Sequence, residues 1–237
     1  KPSRRVERFA SHATKTGVPV VFANQVGGND DLIFDGNSLV VDESGAVVER
    51  LPAFEESTVT VDAFESGAGT PAMRESRPGQ ARAALRRGLA DYMAKTGFSD
   101  VVIGMSGGID STVATVLAVD ALGADHVYGV SLPSEVTSSK SIEDARAVAE
   151  NLGIEFDVVP VGGAVETLES TIEAATDESV TGLAAENIQA RARGVGLMTL
   201  ANARNAFVLT PDNKSEAAVG YCTRYGHTAG ALAPLGA

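Results

Sequence analysis

The 237-residue sequence contains no tryptophan, one cysteine and three histidines. A single thiol, Cys222, excludes an internal disulfide framework and a multi-cysteine zinc site. His12, His126 and His227 lie in unrelated segments and make no metal set or catalytic triad. Positive charge is also scarce: 19 Lys and Arg against 31 Asp and Glu leave a formal charge of −12. So acidic a chain lacks the cationic surface that phosphate contacts require, so neither nucleic acid nor an anionic membrane is an expected partner. An anionic substrate must be held by a local site. No apolar run approaches the roughly 20 residues that span a bilayer, and Lys1-Pro2-Ser3-Arg4-Arg5 leads into no signal-like core. With 44% hydrophobic residues the chain can bury a full core, and a cytoplasmic globular protein is the expectation. The sequence opens without Met in a helix-like run and stops at Gly236-Ala237 after an apolar stretch, which predicts a piece of a longer polypeptide.

Organisation changes along the chain. A polar helical run (4–15) precedes an apolar strand at 19–24, a polar turn at 27–31, and two strands at 38–41 and 46–50 joined by Asp42-Glu43-Ser44-Gly45. These few elements make a small core. The stretch 65–79, rich in Gly, Ser, Pro and charge, reads as a linker or surface crossing. From about Gln80 helix and strand alternate: helix 81–96, strand 101–105, helix 112–122, strand 126–132, helix 141–152 capped by Ser141, strand 155–159, helices near 165–176 and 183–205, and strand 206–210. Continuously apolar strands spaced by amphipathic helices predict a parallel sheet covered on both faces. In such sheets ligands bind beyond the carboxyl ends of the strands, where Ser106–Ser111, Pro133–Lys140 and Pro211–Glu216 all fall.

Ser106-Gly107-Gly108-Ile109-Asp110-Ser111 carries the most chemistry. A glycine-rich turn between an apolar strand and a helix frees backbone N–H groups, adds the positive end of a helix dipole, and here brings two serine hydroxyls. Asp110 would repel phosphate unless a divalent cation lay between them, which points to Mg²⁺ bound jointly by Asp110 and a polyphosphate. No Lys follows the glycines and the G-x-G-x-x-G spacing is absent, so neither a Walker loop nor a dinucleotide fingerprint fits. The hexapeptide resembles the pyrophosphate loop, S-G-G-x-D-S, of enzymes that split ATP into AMP and pyrophosphate.

Three other polar segments accompany it. Asn213-Lys214-Ser215-Glu216 follows a strand; Glu216 could give the metal a second carboxylate and Lys214 could meet phosphate, or the run simply caps a helix. On helix 183–205, Asn187 and Arg191 are four apart and share a face that could grip an anionic ligand, or pair with Glu186 at the surface. Pro133–Lys140 concentrates hydroxyl and amine donors suited to a terminal phosphate.

Together these segments resemble the NAD synthetase family. The loop alone would also fit GMP synthetase, asparagine synthetase or tRNA-thiolating enzymes; Glu186-Asn187-Ile188-Gln189-Ala190-Arg191-Ala192-Arg193-Gly194 and the run Asn213–Tyr221 narrow it. Asn24–Gly36 is similar to the closing part of the nitrilase-like glutaminase domain of the glutamine-dependent form, and Pro52–Glu56 fits its exit. The resemblance implies an α/β fold: a doubly wound parallel sheet of the adenine nucleotide alpha hydrolase (pyrophosphate-loop, Rossmann-like) type in residues 80–237, a linker at 61–79, and a partial nitrilase-like α/β segment in residues 1–60. It implies ATP-dependent amidation of deamido-NAD through an adenylated carboxylate, with ammonia from glutamine in the full-length enzyme. Gly104, Met105, Ser106, Gly107, Gly108, Ile109, Asp110, Ser111 and Thr210 would bind ATP. Asn187, Arg191 and Glu216 would face deamido-NAD, Asp110 and Glu216 would hold Mg²⁺, and Asp110 and Lys214 would act in catalysis. A homo-oligomer is implied as well. Alternatives are another pyrophosphate-loop adenylating ligase and a non-catalytic nucleotide-binding fragment.

Several positions depart from the pattern. Pro211-Asp212 replaces the usual Thr-Gly before Asn213, with Thr210 one position early as the substitute, and His227 stands where Asp commonly follows Tyr-Gly. The glutaminase nucleophile is expected upstream of Lys1, so this polypeptide is expected not to use glutamine. Cys222 is expected to be a small buried packing residue in the helix after Glu216.

Overall fold

The computed structural model describes residues 2–30, 32–64, 76–230 and 232–236. Most of the expected linker, 65–75, lies outside the described residues. The chain divides into two compact units, Lys1–Tyr92 and Met93–Ala237.

In the first unit, helix α1 (Pro2–Thr16) packs on strands β1 (Val20–Phe22) and β4 (Leu39–Val41), and β4 also pairs with β5 (Val47–Arg50) in an antiparallel sheet of order β1-β4-β5. Asp42 makes the β4–β5 turn: its Oδ1 accepts from the N–H groups of Ser44 and Ala46. Strands β2 (Val26–Asn29) and β3 (Leu32–Asp35) form a separate antiparallel hairpin. Here the reading of 27–31 as a plain turn is corrected. Gly27 and Gly28 pair with Phe34 and Ile33, because glycines can enter a ladder that must pass close to Gly88 and Asp91. Leu39 and Val41 are buried in this unit's core, and Phe9 stacks on Phe22 with ring centroids 4.7 Å apart.

Helix α2 (Arg77–Thr96) contains the division between the units, after Tyr92. The second unit is a four-stranded parallel sheet of order β8-β7-β6-β9, from β6 (Val101–Gly104), β7 (Val127–Ser131), β8 (Glu155–Val158) and β9 (Phe207–Leu209). Helices α3 (Ile109–Leu122) and α4 (Ser139–Leu152) cross from β6 to β7 and from β7 to β8. The chain then returns through α5 (Gly162–Ala175) and α6 (Leu183–Arg204) to place β9 on the other side of β6. Because parallel crossovers are right-handed, reversing the direction of travel puts α5 and α6 on the opposite face from α3 and α4. The expected doubly wound parallel sheet is borne out. The reversal lies between β6 and β9, and crevices at such points are where open α/β sheets bind ligands.

Every residue of β7 is buried, and Val102, Val130, Ala201 and Val208 join one apolar cluster. At the amino end of the sheet Arg204 stacks over the Tyr128 ring at 3.5 Å and grips Glu155 with both Nη atoms, at 2.9 and 2.5 Å. The hydrogen bond from Arg204 is the main cause that depresses the Glu155 carboxyl, so this contribution to stability is present above the unfolded value and is lost as the pH falls through the folded one. Arg204→Met is expected to lower stability by about 1 kcal/mol at pH 7. The gap in urea midpoint should narrow on acidification below about 4.3, and a pH-independent gap would refute this account.

Two helix starts differ from expectation. Helix α3 begins at Ile109, so Asp110 and Ser111 sit in its first turn, where short polar side chains and negative charge are favoured. Helix α4 is capped by Ser138, whose Oγ accepts from the Ser141 N–H at 3.2 Å, and Ser141 is therefore inside the helix.

Candidate active site

The site starts at the carboxyl end of β6. Buried Met105 donates its N–H to the Val130 carbonyl at 2.8 Å, and the chain then turns sharply through Ser106 and Gly107. Gly107 has φ +78°, and a Cβ there would lie 2.4 Å from the Ser141 carbonyl oxygen, so only glycine fits. The two serine hydroxyls brace the loop. Ser111 Oγ accepts from the Ser106 N–H at 3.3 Å and donates to the Gly108 carbonyl at 3.0 Å, and Ser106 Oγ accepts from the Gly108 N–H at 3.2 Å. Ser111, read from the sequence as a phosphate donor, is largely buried and braces the loop while its residue still borders the cavity described below. Gly108 caps α3 with no side-chain bond to the helix N–H groups. The first-turn amides of Ile109, Asp110 and Ser111 have no intrahelical carbonyl within reach, which leaves an anion-binding helix terminus.

β9 delivers the second part. After buried Thr210 come Pro211 and Asp212, and Asn213 then caps helix α7 (Lys214–Val219) in a full capping box. Asn213 Oδ1 accepts from the N–H groups of Ser215 and Glu216, and Glu216 Oε2 accepts from the Asn213 N–H at 3.0 Å. Asn213 Nδ2 reaches Asp110 Oδ2 at 3.3 Å. One asparagine therefore hydrogen-bonds both of the carboxylates expected at the metal, Asp110 through its side chain and Glu216 through its backbone. Asp110 Oδ1 and Glu216 Oε1 have no protein partner among the described residues, and no group of three or more acidic, His or Cys side chains able to hold an ion occurs there. Two oxygen donors without a complete cage suit Mg²⁺, which keeps waters and takes substrate phosphates as remaining ligands. Lys214 is exposed on α7 and does not line the cavity.

These loops open into a cavity of about 620 Å³. Of the expected ATP residues, Gly104, Met105, Ser106, Gly108, Asp110, Ser111 and Thr210 line it, and Gly107 and Ile109 do not. Ser138 and Ser141 from the segment after β7 join them, with Glu216. Asn187 and Arg191, expected to face deamido-NAD, do not line this cavity. Asn187 Oδ1 accepts from Thr223 Oγ1 at 2.9 Å and Arg191 Nε donates to the Arg224 carbonyl at 3.3 Å, so both hold the turn at 223–226. Small residues allow that turn to dock. A Cβ on Gly226 would lie 2.9 Å from Ala190, and one on Gly194 2.8 Å from the Tyr225 carbonyl oxygen. From α6 the cavity is lined by Ala190, Arg193, Gly194 and Leu197. Arg193 lines the cavity without having been singled out from the sequence, although its spacing of four from Gln189 marks a shared helix face.

Cys222 lies beyond α7 and is exposed, which corrects its reading as a buried helical residue. Partial desolvation, then the charges of Asp212 and Glu216, hold its thiol above the usual range, so it is not an activated nucleophile. Burial likewise raises Asp212, with His227, which lines the same cavity, opposing the shift and Glu216 adding to it. An acid whose folded pKa is raised opposes folding at neutral pH, and the penalty fades as the pH falls through that value toward the unfolded one, about 3.9. Asp212→Asn is therefore expected to unfold at higher denaturant than the parent at pH 7, with the difference vanishing near pH 4. Equal or lower stability at pH 7 would contradict this.

Residues 82–237 match the family model for NAD synthase. The chain belongs to the NAD synthase family. Residues 9–66 match the model for carbon-nitrogen hydrolase, in line with the nitrilase-like reading of the first segment. Over 95% of its length the chain is 47% identical to the glutamine-dependent NAD(+) synthetase of Rhodobacter capsulatus, covering 42% of that protein. It is 42% identical over 97% of its length to the Synechocystis enzyme of the same name, again covering 42% of it. The solved structure of glutamine-dependent NAD+ synthetase from Acinetobacter baumannii in complex with adenosine diphosphate superposes with a TM-score of 0.91 at 36% identity, over 100% of this chain and 45% of that one. The chain spans less than half the length of these relatives. The family expected from the Asn187 and Asn213 segments is the one found, and the Acinetobacter baumannii structure shares the fold over the whole of this chain.

Proposed function

We propose that this NAD synthase domain converts the nicotinate carboxylate of deamido-NAD to the amide at the expense of ATP, with ammonia as the immediate nitrogen donor and glutamine its source in the complete protein. Residues 80–237 would do this, with 61–79 a linker and 1–60 part of the glutaminase. The observation that carries the reading is the junction of the β6 and β9 exits, where an uncapped helix N-terminus meets Asp110 and Glu216 bridged by Asn213. That junction pairs anion-binding amides with two carboxylates, and such a combination serves a polyphosphate better than any other ligand.

The reaction needs no protein nucleophile. The carboxylate attacks the α-phosphate of ATP and expels pyrophosphate; ammonia then displaces AMP from the mixed anhydride. The amides at 109–111 accept charge gathering on the leaving group, and the close-packed wall at Gly194 and Gly226 shapes the space in which the two substrates are aligned. Mg²⁺ held by Asp110 and Glu216 would neutralise further leaving-group charge. Glu216 lines the cavity, while Asn187 and Arg191 would serve the dinucleotide by fixing the turn at 223–226 that walls it. Lys214, exposed on α7 outside the cavity lining, would contribute only to a phosphate reaching outward from the loop.

The test is incubation of the chain with ATP, Mg²⁺, deamido-NAD and ammonium, following AMP and NAD. Stoichiometric formation of both supports the reading. Binding of ATP with no response to deamido-NAD and no AMP would indicate a different adenylating ligase, and binding of both with no turnover would indicate a nucleotide-binding role alone.

A further inference from the structure

We propose that Arg193 is a fixed anion receptor in the cavity wall, binding a phosphate or carboxylate oxygen of the substrate held against the Ser106–Ser111 loop; the assignment rests on the ATP-dependent reading above. Arg193 lies half-buried midway along α6 and faces the cavity. Its Nε donates to the Leu132 carbonyl at 3.0 Å and its Nη2 to Ser134 Oγ at 3.0 Å. Ser134 in turn donates to Gln189 Oε1 at 2.9 Å, one helical turn away on the same face, so the plane of the guanidinium is locked by neutral acceptors. Its Nη1 makes no hydrogen bond with the described residues, and no Asp or Glu there comes within ion-pair distance of the side chain.

That environment contrasts with the firmly held arginines elsewhere. Arg5 meets Asp35, Arg87 meets Asp91 and Arg204 meets Glu155. Arg193 is desolvated with no such compensation, and burial alone acts on it, pulling its pKa down. A guanidinium cannot discharge at physiological pH, so an uncompensated buried cation is costly unless a ligand supplies the anion. Asp110, Asp212 and Glu216 share the cavity but stand beyond ion-pair distance. The carbonyl of Leu132 and the hydroxyl of Ser134 occupy one edge of the fork, and the Nη1 edge remains for a charge-assisted bond.

The experiment is isothermal titration of the whole chain, with Mg²⁺, against pyrophosphate, ATP and deamido-NAD at several salt concentrations. The parent is compared with Arg193→Met, Arg193→Lys and Ser134→Ala. Arg193→Met is expected to weaken the ligand whose anion meets the guanidinium by about 10- to 100-fold and to flatten its salt dependence, whereas Arg193→Lys keeps the salt dependence and loses less affinity. Loss for pyrophosphate and ATP assigns the anion to the phosphate chain of ATP; loss for deamido-NAD alone assigns it to the dinucleotide. Ser134→Ala should change affinity only a few-fold. The proposal is overturned if Arg193→Met binds all three ligands as the parent does. It is equally overturned if Ser134→Ala reproduces the whole loss with the salt dependence intact, which would make Arg193 a brace for the loop. Arg193→Gln, which keeps donors without charge, replaces Arg193→Met should that variant fail to fold. A parent chain that binds none of the three ligands overturns the functional reading together with this one; tight binding indifferent to Arg193 overturns this one alone.

Discussion

Gly107→Ala is expected to remove ATP binding and to destabilise the second unit by about 3 kcal/mol, whereas Gly108→Ala should do little to folding. At Gly107 the backbone has φ +78°, and a Cβ would meet the Ser141 carbonyl oxygen at 2.4 Å, an atom held in the first turn of α4. Backbone strain and forced overpacking each cost on the order of 1–3 kcal/mol. At Gly108 φ is −81°, and the nearest atom to a new Cβ is the Ser106 hydroxyl at 3.2 Å, which can rotate away. Urea unfolding and ATP titration of both variants test the contrast. Equal stability and equal ATP affinity for Gly107→Ala and the parent would mean that the loop does not bind in the conformation described.

Asp110→Asn should lower the rate of adenylation by about 100- to 1000-fold while leaving the urea midpoint within roughly 0.5 kcal/mol of the parent. Asp110 is partly exposed at the start of α3, and its one protein bond, from Asn213 Nδ2, can be made by an amide oxygen. What the substitution removes is the negative charge that would share Mg²⁺ with the phosphates. Glu216→Gln is a graded companion, since a Gln oxygen can still accept from the Asn213 N–H and preserve the capping box. Pyrophosphate release at saturating ATP and raised Mg²⁺ is the readout, and an Asp110→Asn protein with parental rates would remove Asp110 from the metal site.

Legibility differed from element to element. Strands β6, β7 and β9 were plain because they are short, mainly apolar runs between helices, and burial on both faces keeps charged residues out of them. The β2–β3 hairpin was hidden, since Gly27-Gly28-Asn29 has the composition of a turn and only its packing near Gly88 and Asp91 makes a strand of it. The cap of α4 fell on Ser138 and not Ser141, a choice between identical side chains that the helix register settles. On α6, Asn187 and Arg191 share one face and Gln189 and Arg193 another, and periodicity cannot say which face meets a cavity. The docked turn at 223–226 claimed the first pair, and the loop after β7 claimed the second.

By itself the sequence determined the family and marked its polar parts: a glycine loop with a carboxylate in it and a second loop rich in polar groups. Such features are local, because a turn, a helix start and a hydroxyl next to a glycine are set by neighbours a few residues away. The tertiary structure alone decided that these parts form one site. Asp110 and Asn213 lie 103 residues apart, and they meet because β9 pairs with β6 after the crossover direction reverses. That pairing is set by burial of apolar surface between distant segments, to which no local pattern has access. It also decided the surroundings of each side chain, spending the Ser111 hydroxyl on the loop it sits in and leaving Arg193 charged in the cavity wall without a carboxylate partner among the described residues.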